Sequence, residues 1–331
     1  MKTIFVHIGM PKTGSTSIQA FFSTHRHVLE EEGILYPRLF CSGGAHFDFS
    51  SAFGFGASKK NITSNHLNDS LLELEKEING ANFNKVIFSS ENFVLDGDVD
   101  LLYSFLYTLD AKLKIVVYLR RHDKWWPSAY QQSIKQVNNP PWGSTFKEFL
   151  DFQNSFGYKY WDYCSLIDRW ASVFGRENIL VRPFEKSQMK EGDVLQDFLD
   201  VIGVNDISDK LRGSINKPRS IANDSLNAKA LILMDVYSRL NVAENIKRKL
   251  KKHAESIESD INVSSLCSPY ILEEILKDNF KDYEYIAKEY LGRDDGRLFY
   301  DGVKFEESPI LDFDNNVWLV QETIEALKDL F

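Results

Sequence analysis

The chain has 331 residues, 43% hydrophobic and 26% charged, a composition that excludes a disordered or fibrous chain and is large enough to bury a sizeable core. Its net charge of −9 argues against a surface that coats nucleic acid, so no nucleic-acid partner is expected and any anion site has to be local. Cys41, Cys164 and Cys267 are widely spaced, which suggests neither a disulfide framework nor a zinc site, and no metal is called for. With no apolar run of about 18 residues and no charged leader ahead of the first strand, the sequence reads as cytoplasmic, without stable membrane insertion.

The first element is a buried strand, "TIFVHI" (3 to 8), followed by a helix from about Ser15 to Glu32 with Ile18, Phe21, Phe22 and Leu29 as its apolar positions. Residues 40 to 65, rich in Gly, Ser and aromatics without a period, read as a long excursion over the fold. "KVIFSS" (85 to 90), "LKIVVYL" (113 to 119) and "NILVRPF" (178 to 184) are nearly continuous apolar strands, the pattern of a parallel sheet covered on both faces. Helices are expected near 98–109, 122–137, 161–174 and 191–202; past "GSINKPRSIANDS" (213 to 225) the strands stop and 226–290 reads as helical. The fold class is α/β: a P-loop-like doubly wound parallel sheet flanked by helices, with a helical C-terminal elaboration. The expected organisation is one domain over 1–331, its core in 1–220 and a mainly helical remainder in 221–331.

Chemistry concentrates where the first strand meets its helix. "HIGMPKTGSTS" (7 to 17) nearly fits the Walker pattern G-x-x-x-x-G-K-[ST] through Gly9, Gly14 and Thr16, but Ser15 stands in the lysine's place and the lysine comes earlier, at Lys12. A glycine loop feeding a helix offers backbone N–H groups and the positive helix end to an anion, and the hydroxyls of Thr13, Ser15 and Thr16 add donors. An ordinary βα turn is the competing reading. A second anion point is Arg120, ending a strand, with Ser128 eight residues later in the next helix; the carboxyl ends of strands are where open α/β sheets bind ligands.

With these two motifs on the page, the chain resembles the sulfotransferases that use 3′-phosphoadenylyl sulfate (PAPS). "PKTGST" (11 to 16) matches the loop that takes the 5′-phosphosulfate, and Arg120 with Ser128 keeps the Arg-to-Ser interval of the element that takes the 3′-phosphate. "LIDRWASVFGRENILVRPFEK" (166 to 186) is similar more loosely, and "YLGRDDGRLF" (290 to 299) resembles tails of bacterial members.

The resemblance implies PAPS as co-substrate, bound by Pro11, Lys12, Thr13, Gly14, Ser15, Thr16, Arg120 and Ser128, with 3′,5′-ADP as product and no metal requirement. It also implies that Lys12 meets the charge on the leaving phosphate. Arg219 and Ser220 could complete the 3′-phosphate site, with solvated surface charge an equal reading; Arg121 is set aside because the interval favours Arg120. For the base that deprotonates the acceptor, Glu91 leads, since "KVIFSSENF" runs an apolar strand straight into it; a helix-capping carboxylate is its alternative. His46 in "GGAHFDF" is the reserve, as base or acceptor contact, and His7 reads as a hydrogen-bonded support for the loop. The acceptor implied by resemblance is a saccharide, such as an oligosaccharide or glycolipid. Two other readings stay open: a P-loop nucleoside or adenylyl-sulfate kinase, which the absence of a lysine after Gly14 disfavours, and a nucleotide- or glycan-binding protein without turnover.

Overall fold

The computed structural model describes residues 2–56, 64–80, 83–204, 226–303 and 322–326. By backbone contacts the described residues form two compact units, one drawn from Met1–Arg120, Tyr158–Pro218 and Phe280–Asp301, the other from Arg121–Gly157, Arg219–Asn279 and Gly302–Phe331. No helix among the described residues is long and apolar enough to cross a membrane.

The first unit holds strands β1 (Thr3–Gly9), β2 (Ile34–Leu35), β3 (Lys85–Ser89), β4 (Lys112–Leu119) and β5 (Ile179–Pro183). They run in the order β2-β3-β1-β4-β5, and every neighbouring pair is parallel. Helices among the described residues include α1 (Ser15–Thr24), α2 (Arg26–Glu31), α3 (Phe47–Ala52), α4 (Ser64–Asn79), α5 (Val99–Tyr107), α6 (His122–Gln136), α7 (Phe146–Asn154), α8 (Tyr163–Phe174), α9 (Val194–Val201), α10 (Ala228–Arg239), α11 (Glu244–Ser256), α12 (Pro269–Asp278) and α13 (Phe280–Leu291). The α/β class and the parallel sheet expected from the sequence are therefore present.

Strand periodicity sorts the core into two layers. Phe5, Ile87, Val116 and Tyr118 point to one face, where α1 and α9 cover them with Phe22, Leu195 and Phe198. His7 and Ser89, paired across β1 and β3, share the parity of Phe5 and Ile87 and so lie on this same face. On the opposite face Phe49 of α3 stacks on Phe88 at 4.2 Å between ring centroids, and Phe55 stacks on Trp170 of α8 at 5.8 Å. The aromatic-rich stretches of the sequence serve mainly as core, with Trp125, Trp126, Tyr163 and Trp170 all buried.

Two local expectations are corrected, and one strand is added. The single helix from Ser15 to Glu32 is two, because His25 leaves helical geometry at φ −104°, ψ 19° and its ring Nδ1 bonds the Phe21 carbonyl at 2.9 Å. The presumed excursion from Phe40 contains α3, and Phe49, Phe53 and Phe55 are core residues, so burial of an aromatic set replaces periodicity there. The two-residue strand β2 carries too short a pattern to be read from sequence.

The second unit is helical among its described residues, built from α6, α7, α10, α11 and α12. Arg239 anchors it, holding Asp235 with Nε at 2.9 Å and Nη2 at 3.0 Å while donating to the carbonyls of Trp142 and Gly143. Buried Lys247 donates to the Ser238 carbonyl at 3.2 Å and to Asn139 at 3.3 Å. A capping box of Thr145 and Glu148 starts α7.

In the first unit, Asp197 of α9 ties the helical layer to the sheet. Fully buried, it accepts from the Tyr118 hydroxyl of β4 at 2.8 Å, from Arg182 Nε of β5 at 2.9 Å and from the Lys190 N–H at 2.9 Å, with a further bond from Arg182 Nη2. Asp197→Ala strands all of these donors. Because the Arg182 side chain is partly exposed, the expected loss is about 3 kcal/mol, the lower end for a broken buried pair, read from the urea midpoint; Asp197→Asn should lose less.

Candidate functional site

The chain order of the sheet fixes where a ligand can sit. From β1 the chain moves toward β2 and β3, whereas from β4 it moves toward β5, so the neighbours β1 and β4 diverge and open a crevice at their carboxyl ends. The loop after β1 and the residue after β4 lie at this point.

The loop closes on itself. Lys12 has φ 66° and Gly14 has φ 81°, and the Thr13 hydroxyl donates to the Met10 carbonyl at 2.5 Å. The Met10 N–H is held by the Tyr118 carbonyl at 3.1 Å, pinning the loop to β4. Gly14 is required twice over: its φ disfavours any side chain, and a Cβ there would stand 2.8 Å from the Val194 methyl of α9. Arg120 then bridges the crevice, donating from Nη1 to the Lys12 carbonyl at 3.0 Å, with its guanidinium over the Phe184 ring at 5.8 Å. Lys12 and Arg120 are half-buried and Thr16 is exposed.

The hydroxyls divide their roles. That of Thr13 is committed within the loop, while that of Ser15, which is buried, donates to Glu91 Oε1. Gln19, one turn further along α1, donates from Nε2 to Glu91 Oε2 at 2.9 Å and to the Ser89 hydroxyl oxygen at 3.2 Å. Glu91 is half-buried and opens a short 3-10 turn (Glu91–Val94) whose cap is the Ser90 side chain, accepting from the Asn92 N–H. The expected cap thus belongs to Ser90, leaving the Glu91 carboxylate for the loop and α1. Both its oxygens face the start of α1, where a negative charge is favoured by the helix dipole.

His46 does not meet the expectation placed on it. It is fully buried against Tyr36 and Phe88; its Nδ1 accepts from the Ser89 N–H at 3.2 Å, and its Nε2–H donates to the Pro37 carbonyl at 3.1 Å. Burial lowers its pKa to about 3, and with both ring nitrogens engaged it is a neutral packing residue rather than a base near neutrality. His7 is hydrogen-bonded, but to β3 rather than to the loop, with Nδ1 2.8 Å from the Ser89 Oγ; burial lowers its pKa to about 4 against the opposing pull of Glu91.

Arg121 makes a two-point pair with Asp123 at 2.8 and 2.9 Å. Ser128 lies half-buried on α6 in the second unit. Arg219 and Ser220 lie outside the described residues. The residue that sequence reasoning missed is Gln19: a lone glutamine in an amphipathic helix carries no motif, and only its placement on the helix face toward the sheet could have marked it. The segment "YLGRDDGRLF" returns to β5's end, where buried Glu185 accepts from the Tyr300 N–H at 2.7 Å and Arg293 donates to Gln188 at 2.6 Å. Among the described residues there is no group of three or more His, Cys, Asp or Glu side chains arranged to hold a metal ion.

No protein-family model matches the chain. Over 212 residues it is 30% identical to an uncharacterized protein of Archaeoglobus fulgidus; the match covers 62% of this chain and 54% of that protein, so the chain spans about half the length of this relative. Among solved structures it is similar to a sulfotransferase from Alicyclobacillus acidocaldarius, at 19% identity and a TM-score of 0.40, over 75% of this chain and 99% of that one. It is also similar to mouse sulfotransferase SULT7A1 complexed with PAP, at 14% identity and a TM-score of 0.40, over 89% and 87% of the two chains.

Two of the buried histidines, His7 and His46, make stability pH-dependent. Their folded pKa values, about 4 for His7 and about 3 for His46, lie below the ordinary 6.5, so the unfolded chain binds more protons as pH falls below about 6.5. Stability is complete above that value and declines through pH 6 to 5, each histidine adding up to about 1.4 kcal/mol per pH unit. Urea midpoints measured from pH 7.5 to 5 should show this slope, and His7→Gln or His46→Gln should each reduce it.

Proposed function

We propose that the chain is a sulfotransferase that moves a sulfuryl group from PAPS to an acceptor hydroxyl or amine. One convergence supports this reading: at the crevice between β1 and β4, the loop "PKTGST" is clasped by Arg120 through the Lys12 carbonyl and by Glu91 through Ser15. Two cations and a carboxylate thus gather around one glycine loop, which is what an anionic donor and an acceptor needing deprotonation require.

In this mechanism the loop N–H groups and Lys12 bind the 5′-phosphosulfate, and Arg120 binds the nucleotide's 3′-phosphate. The acceptor oxygen attacks sulfur in line as its proton passes to Glu91. The bond from sulfur to the bridging phosphate oxygen breaks, and Lys12 neutralises the charge left on 3′,5′-ADP. By resemblance the acceptor is a saccharide, carried on an oligosaccharide or a glycolipid.

The test begins with thermal stabilisation by 3′,5′-ADP compared with ATP and Mg²⁺, and continues with transfer of label from PAPS to saccharide and lipid fractions. Stabilisation by 3′,5′-ADP and transfer are expected. Stabilisation by ATP alone would instead support a kinase, and binding without transfer a binding protein. Lys12→Ala and Glu91→Gln should each lower turnover by about 100-fold or more while 3′,5′-ADP still binds. Near-normal rates in either variant would remove that residue from its role.

A further inference from the structure

Resting on the function proposed above, we infer that Gln19 is a positioning residue for Glu91. Beneath it lies the buried pair His7–Ser89, with His7 Nδ1 2.8 Å from the Ser89 Oγ and the ring packed against Tyr118 and Phe198.

The Gln19 amide nitrogen reaches Glu91 Oε2 at 2.9 Å and the Ser89 Oγ at 3.2 Å. A carboxylate only accepts, so with the amide reversed its carbonyl would face the carboxylate, which is repulsive. The orientation of the amide is thus dictated by Glu91.

Gln19 is itself buried in α1 and forms no part of the loop. Its effect on the reaction passes through the carboxylate: Ser15 holds one oxygen and Gln19 the other, which fixes the plane of Glu91 relative to the loop. A carboxylate held at one point only can swing, and a displacement of about 1 Å in a reacting group costs on the order of 100-fold in rate.

The experiment is a double-mutant cycle between Gln19→Leu and Glu91→Gln, read by turnover of PAPS and by affinity for 3′,5′-ADP. Gln19→Leu should lower kcat by about 10- to 100-fold with 3′,5′-ADP affinity within about 2-fold, and should cost nothing further in the Glu91→Gln background, since residues acting through one contact are non-additive. Losses that multiply in the double variant, or a single variant with wild-type kcat, overturn the inference. A second measurement needs no turnover. In ¹⁵N-labelled protein the side-chain amide protons of Gln19 should move upfield in Glu91→Gln, as a charge-assisted bond becomes a neutral one; unmoved resonances also overturn it. If the wild-type protein transfers nothing from PAPS, the proposed function has failed, and the amide resonances alone decide the Gln19–Glu91 contact.

Discussion

On the proposed function, a carboxylate beside a loop that receives an anion is an electrostatic conflict, and the arrangement around Glu91 is how the fold contains it. Two like charges about 4 Å apart repel by about 4 kcal/mol at the effective dielectric of a protein surface. Here the carboxylate is turned so that its oxygens meet donors, Ser15 on one side and Gln19 on the other, at the positive end of α1. The start of α1 thus already stabilises the resident carboxylate. On the proposed function, Lys12 and Arg120 supply the positive charges that let a second negative group share the crevice; Arg120 also fixes the loop through the Lys12 carbonyl.

Beneath the crevice, the middle residues of β1, β3 and β4 are mainly apolar and pack with α1, α9 and α3. His7 and Ser89 are the last inward residues before the strands end, one layer beneath the loop. They are polar, yet satisfied mainly by each other and by Gln19. The layer thus passes from hydrocarbon to a closed hydrogen-bonded step and then to the charged crevice. The cost of one unpaired His7 nitrogen is borne in the core rather than at the reacting groups.

How much of this was legible follows from what kind of signal each part leaves. The four longer strands are continuous apolar runs and were read within a residue or two, because burial on both faces writes itself into composition. The loop was legible because glycine and lysine at fixed spacing have few other uses. Glu91 was legible because a charge directly after an apolar strand must lie at its tip. His46 was misread for the opposite reason. Its neighbours Gly43, Gly44 and Asp48 look solvated, whereas its burial is imposed by Tyr36 and Phe88, which are distant in sequence. Segment membership was equally hidden: residues 280–301 group with the sheet, although 30 or more intervening residues on their N-terminal side group elsewhere. Sequence order does not encode which helices return.

The substitution that breaks the Walker pattern acquires a physical reason from the same geometry. Position 15 is buried, only 3% exposed, and its side chain points at the Glu91 carboxylate rather than along the crevice. A lysine there would bury an ammonium against that carboxylate and form a closed ion pair, leaving neither charge for a ligand. A serine at the same place gives Glu91 one proton donor and no net charge. The cation has to enter elsewhere, and it does so at Lys12, whose left-handed backbone turns the chain within the loop and leaves its side chain half-buried beside the crevice. The lysine of this loop stands three residues earlier, and Ser15 leaves the Glu91 carboxylate with a neutral hydroxyl donor instead of a buried ion pair.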